Sequence, residues 1–140
     1  HLCGKSNLDS SLNNTNGYAQ FEYANTELKD MFALADIVVS RAGANAICEL
    51  LALRKPNILI PLSAHASRGD QILNARSFER QGFSMVIEEE QLNDVILLDA
   101  IQKLFQDRKK YVSAMEQSQQ FNSVETVVQL LEGLCSQIPR

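Results

Sequence analysis

The chain has 140 residues, 45% of them hydrophobic, which is one ordinary domain and enough to bury a core. Its net charge of −4, with acids and bases spread along the chain, argues against a surface that tracks nucleic-acid phosphates. Cys3, Cys48 and Cys135 form no CxxC pair and no Cys/His cluster, and no apolar stretch approaches the roughly 20 residues that span a bilayer, so a disulfide framework, a zinc site and a membrane helix all drop out. An odd cysteine count without a framework fits a reducing cytosol.

The chain opens on "HLCGK", which reads as the end of a strand running into a glycine turn and, lacking an initiator Met, as a piece of a longer protein. "SNLDSSLNNTNG" is polar and turn-forming, with room for one short helix around Leu8 to Leu12. "YAQFEY" alternates as a half-buried strand does. In "NTELKDMFALAD", Thr26 is placed to cap a helix whose stripe is Leu28, Met31, Phe32 and Ala35. "IVVS" is a short β-branched strand, followed by a helix from about Ala44 to Leu53 and a strand "NILIPL" bounded by Pro56 and Pro61. Cys48 falls inside that apolar helix, where a thiol behaves as a small hydrophobe.

"SAHASRGDQILNARSFERQG" reads as a loop leading into a helix that Gly82 stops, and "FSMVI" as a fifth strand. From Gln91 the chain is helical, with apolar spacing at Leu92, Val95, Ile96, Leu98, Ile101, Leu104 and Phe105; a last helix runs from about Ser123 to Cys135. Short apolar strands alternating with helices predict an α/β fold, a Rossmann-like three-layer structure around a parallel sheet of about five strands.

In such sheets ligands bind beyond the carboxyl ends of the strands, beside helix N-termini. Two segments leave those ends. In "SRAGANA", Gly43 lets a ligand approach the backbone, and the amides of Ala44, Asn45 and Ala46 are the unpaired donors of a helix start, which suits a phosphate or diphosphate. A single glycine at a strand-to-helix junction is equally an ordinary structural residue. On the following helix Ala44, Ile47, Leu50 and Leu51 cluster on one side, while Asn45 and Glu49, four apart, stack on the other. A carboxylate at Glu49 can accept two hydrogen bonds from a ribose diol; it can also be a solvated glutamate paired with Arg54. In the second segment, Asp70 and Gln71 offer an acceptor and an amide for sugar hydroxyls, against plain N-capping by Asp70. His65 has no Ser or Asp partner in sequence and reads as a loop histidine.

The stretch from Ala35 to Ile87 combines Arg-Ala-Gly, a glutamate six residues after that glycine, a Lys-Pro strand start and Asp-Gln before Asn-Ala. In this combination it resembles the donor-binding half of the MurG family, bacterial transferases that move N-acetylglucosamine (GlcNAc) from UDP-GlcNAc to lipid I to give lipid II. The resemblance covers nearly the whole chain. It implies a GT-B glycosyltransferase in which residues 1–140 are a single, incomplete UDP-sugar-binding C-terminal domain. It also implies diphosphate contact at Gly43, Ala44 and Asn45, ribose contact at Glu49, and GlcNAc hydroxyls held by Asp70 and Gln71. Asn25 and Leu28 would meet the uracil ring, mostly through backbone. Many relatives carry Gln-Gln or His-Gln where this chain has Asp70-Gln71, a departure that leaves the sugar contact open to a different arrangement.

The expected partners are the UDP-GlcNAc donor and lipid I, the latter held by an N-terminal acceptor domain that the sequence lacks; no nucleic acid, cofactor or metal is expected. No general base is found in this chain, so the piece alone is expected not to turn over. The resemblance implies that the full-length enzyme is cytoplasmic and peripheral on the inner face of the cell membrane, and an uncovered sheet edge is expected to favour self-association of this piece. Three alternatives stand beside this. The first is the donor subunit of a two-chain GlcNAc transferase, the second a macrolide-type glycosyltransferase or sugar-nucleotide 2-epimerase, and the third a non-enzymatic α/β binding module.

Overall fold

In the computed structural model, residues 1–67 and 69–118 are described. The chain divides into two compact units, His1–Ala35 and Asp36–Arg140.

The first unit is held by turns more than by regular structure. Its two expected strands reduce to one parallel bridge between Leu2 and Phe21, in which the Cys3 N–H donates to the Phe21 carbonyl at 2.9 Å and the Phe21 N–H to the His1 carbonyl at 2.8 Å. Pairing stops there because Gly4, at φ +80°, turns the chain away. Among the described residues the alternation of "YAQFEY" gives no buried face: Phe21 and Tyr23 are exposed. The short helix expected around Leu8 to Leu12 is a single 3-10 turn, Ser10–Leu12, capped by the Asp9 carboxylate, which accepts from the Ser11 N–H. Helix α1, Leu28–Leu34, starts after Glu27 rather than on a Thr26 cap. Its half-buried positions are the expected stripe, Leu28, Met31 and Phe32, with Ala35 just beyond its end.

The second unit carries a three-stranded parallel sheet, fewer than the five strands expected, in the order β1 (Val38–Ser40), β2 (Asn57–Leu59), β3 (Ser84–Val86). Helix α2, Ala44–Ala52, joins β1 to β2 and buries Ile47, Leu50 and Leu51, an i, i+3, i+4 stripe. Ala44, expected on that apolar side, is exposed, and so is Cys48, which therefore does not act as a core residue. The helix ends with Arg54 in the left-handed region at φ +51°, its N–H bonded to the Leu51 carbonyl and the Lys55 N–H to the Leu50 carbonyl. Pro56 then opens β2, a strand buried along its whole length.

A four-residue helix α3, Ala64–Ser67, and helix α4, Asp70–Arg80, join β2 to β3, so His65 sits in a helical turn and not a loop. Gly82, at φ +75°, stops α4 as expected: the Phe83 N–H reaches the Phe78 carbonyl at 3.0 Å, and the two rings meet edge to face at 5.6 Å. Crossovers between neighbouring parallel strands are right-handed as a rule, which would place α2 and α4 on the same face of the sheet, and the two helices pack against each other. Helix α5, Asp94–Glu116, packs on β2 and β3. Ile58, Ile60, Ile87, Ala100 and Leu104 form one core cluster, ringed by Ile37, Met85, Leu97, Ile101 and Tyr111. Leu59, fully buried as well, points to the opposite face by strand alternation.

The α5 stripe differs from the one expected. Leu92, Val95, Ile96, Leu98 and Phe105 are exposed, and the buried line runs through Ala100, Leu104 and Met115. The helix expected from Ser123 to Cys135 lies outside the described residues.

Candidate functional site

All three strands of the second unit run the same way, so their carboxyl ends gather at one edge. Three chain segments leave it: Arg41-Ala42-Gly43 after β1, Leu62-Ser63 after β2, and Glu88-Glu89 after β3.

Gly43 is the N-cap residue of α2, and no side chain caps that end. The first intrahelical bond is the Ile47 N–H to the Gly43 carbonyl at 3.0 Å, which leaves the amides of Ala44, Asn45 and Ala46 as the free donors of the first turn. Gly43 has φ −66° and ψ 141°, a conformation open to any residue, and a Cβ built on it would meet nothing within 4 Å. Among the described residues neither a positive φ nor a crowded Cβ position calls for glycine here. Asn45 and Glu49 are both exposed, on the side of α2 away from Ile47, Leu50 and Leu51. Among the described residues the Glu49 carboxylate makes no ion pair, so the sequence alternative of an Arg54 partner drops out.

Helix α4 brings its first two turns to the same edge. Its N-cap is Gly69, at φ +83°, and Asp70 is the first helical residue; its side chain is exposed and makes no capping bond among the described residues. Gln71 and Asn74, three apart and therefore on one face, bond to two different loops. The Gln71 Oε1 accepts from the Leu62 N–H at 3.1 Å, and the Asn74 Nδ2 donates to the Ala42 carbonyl at 3.1 Å. With its oxygen so engaged, Gln71 has its amide N–H pair left as donors, beside the acceptor-only Asp70 carboxylate.

The third connection is ionic. The Arg41 Nη1 donates to the Ile60 carbonyl at 3.2 Å and to the Glu89 Oε1 at 2.8 Å, while the Glu89 Oε2 accepts from the Ser63 N–H at 3.1 Å. That backbone N–H, and next to it the Arg41 guanidinium, hold the Glu89 carboxyl below its ordinary value. Among the described residues no group of three or more His, Cys, Asp or Glu side chains is arranged to hold a metal ion.

Among the described residues the edge therefore offers a helix N-terminus with free amides, a carboxylate without an ion-pair partner on the same helix, and an acid-amide pair on the next. Residues 1–130 match the profile of the glycosyltransferase family 28 C-terminal domain. The chain belongs to this family. A protein of Lachnospira eligens is 58% identical over 132 residues, 94% of this chain and 37% of that relative. Proteins of Lachnoclostridium phytofermentans and Clostridium perfringens are 61% and 59% identical over the same shares. All three are named UDP-N-acetylglucosamine–N-acetylmuramyl-(pentapeptide) pyrophosphoryl-undecaprenol N-acetylglucosamine transferase. The resemblance to the MurG family is borne out, and the chain spans little more than a third of the length of these relatives.

Of the residues singled out in sequence, this family 28 domain gathers Gly43, Ala44, Asn45, Glu49, Asp70 and Gln71 on two neighbouring helices, α2 and α4. Asn25 and Leu28 belong to the first unit, where the Asn25 carbonyl accepts the Leu28 N–H at 3.2 Å. Sequence reasoning gave no role to Arg41, Asn74 or Glu89. Their signal was a charged or amide residue directly after an apolar strand or on the same face as Gln71, which gains meaning only once the strand order is known.

Proposed function

We propose that this chain is the donor-binding part of an inverting hexosyltransferase of GT-B architecture, which adds GlcNAc from UDP-GlcNAc to lipid I to make lipid II. The observation that carries it is Glu49: an exposed carboxylate that makes no ion pair among the described residues, one turn above a helix start whose first amides have no intrahelical partner. The diphosphate lies against Gly43 and the amides of Ala44, Asn45 and Ala46, where the helix dipole favours negative charge. The ribose then runs along α2, and its hydroxyls donate to Glu49. Asp70 and the Gln71 amide take the GlcNAc hydroxyls. The names of the relatives support the choice of donor and of a lipid-linked acceptor.

In the reaction a muramoyl 4-hydroxyl attacks the anomeric carbon from the face opposite UDP. The bond to the diphosphate breaks and its electrons leave with UDP. Helix-terminus amides stabilise the charge that develops there. The base that takes the hydroxyl proton, and the acceptor site, are assigned to the part of the relatives that this chain does not span. The lipid anchor of the acceptor fixes the reaction to the inner face of the cell membrane; no helix among the described residues is long and apolar enough to cross it.

Calorimetric titration with UDP and then UDP-GlcNAc, on wild type and Glu49→Ala, tests the proposal. Hydrogen bonds to a charged acceptor predict a loss of about 10- to 100-fold in affinity for the variant, with its fold intact. Equal affinity in the two proteins would remove Glu49 from the site. Absence of any binding by wild type would remove the donor assignment itself.

A further inference from the structure

Arg41 and Glu89 stand 48 residues apart in sequence and join all three strand exits. One guanidinium nitrogen, the Arg41 Nη1, bonds both the Ile60 carbonyl and the Glu89 carboxylate, and the other oxygen of that carboxylate takes the Ser63 N–H. Arg41 lies two residues before Gly43, and Ser63 lies next to Leu62, whose N–H is held by Gln71. The chain of bonds therefore runs from the glycine end of α2, through Arg41, Glu89 and the Leu62-Ser63 segment, to the first turn of α4.

The pair adds little to stability, because its side chains are 49% and 32% exposed and such ion pairs are screened by solvent. Its effect is geometric. The donor's diphosphate and its sugar sit at opposite ends of this chain of bonds, and a sugar is bound well only if both ends are held at the right spacing. We propose that Arg41 and Glu89 are positioning residues that set the distance between the diphosphate-binding end at Gly43 and the sugar-binding end at Asp70-Gln71. This rests on the donor site described above. Neither residue touches the nucleotide: each acts through the loop it holds. The pair therefore determines how much the GlcNAc moiety adds to UDP binding, and not UDP binding itself.

The test is a comparison of UDP and UDP-GlcNAc affinities in the intact protein for Arg41→Gln, Glu89→Gln and the double variant, with thermal midpoints in parallel. Glu89→Gln keeps the shape but can accept only one of the two bonds. The expected result is UDP affinity within about twofold of wild type, UDP-GlcNAc weakened by about threefold or more, and a double variant no worse than either single one, as coupled partners require. Arg41→Lys, which keeps the charge beside Glu89, should recover part of the loss. UDP and UDP-GlcNAc weakening in parallel would overturn the proposal, because the pair would then contact phosphate or merely support the fold. Unchanged affinity for both would overturn it as well. Failure of the donor site itself has a different signature: wild type binds neither nucleotide, or Glu49→Ala binds both as wild type does, and the inference falls with it.

Discussion

The Asn74 Nδ2 donates to the Ala42 carbonyl at 3.1 Å, so a side chain on α4 holds the residue directly before Gly43. Ala42 is fully buried, and its carbonyl loses this donor in Asn74→Ala. A buried acceptor left unpaired costs about 1–3 kcal/mol, and urea denaturation should read a loss of that size.

Two glycines should respond in opposite ways. Gly82 sits at φ +75°, a conformation that costs an L-residue about 1–2 kcal/mol, so Gly82→Ala should lower stability by roughly that amount without touching the nucleotide site. Gly43 has an ordinary φ of −66° and open space where a Cβ would go. At this N-cap the entropy gained by replacing glycine opposes the poorer capping of alanine, so Gly43→Ala should change stability by less than about 1 kcal/mol, while weakening UDP binding. Paired unfolding curves and titrations on the two variants check both halves.

Leu104 is fully buried among Ile58, Ile60, Ile87 and Ala100, on the face of the sheet that α5 covers. Leu104→Ala removes a side chain from a packed cluster and should cost about 2–5 kcal/mol. Phe105, its neighbour on the exposed side, should tolerate Phe105→Ala with a change smaller than about 1 kcal/mol. Denaturant midpoints separate the two.

Acid should act on the edge through Glu89. Its carboxyl is held below the ordinary value by the Ser63 N–H and by Arg41, so the folded chain binds that proton more weakly than the unfolded one. The stabilisation is therefore complete above the unfolded glutamate pKa, about 4.3, and is lost as pH falls through the lower folded value. Because the pair is exposed and screened the effect is small: thermal midpoints of wild type should drop only slightly more steeply below about pH 4.5 than those of Glu89→Gln. Parallel curves would mean that the carboxylate has no such partners in solution.

The sheet of the second unit was legible because its strands are short apolar runs fenced by Pro56, Gly43 and Gly82, and the ends of α2 and α4 fell where those residues mark them. The first unit was not, because the alternation in "YAQFEY" matches a strand but only one bridge forms and Phe21 and Tyr23 stay exposed among the described residues. In α5 the run Val95-Ile96-Leu97-Leu98 is apolar on every side, so helical spacing alone cannot say which of the four faces the sheet; Leu97 does. Glu49, Asp70 and Gln71 could be chosen from helix geometry and family resemblance. The Arg41–Glu89 link could not, since its partners are brought together only by the order of the strands.

The central claim is that a nucleotide diphosphate sits on the N-terminus of α2. Backbone amide shifts recorded by NMR during titration with UDP, with uridine as the phosphate-free control, test it most directly. The largest saturable shifts should fall on the amides of Ala44, Asn45 and Ala46, and uridine should leave those three nearly unmoved. Saturable UDP shifts confined to other amides, with these three silent, would contradict it.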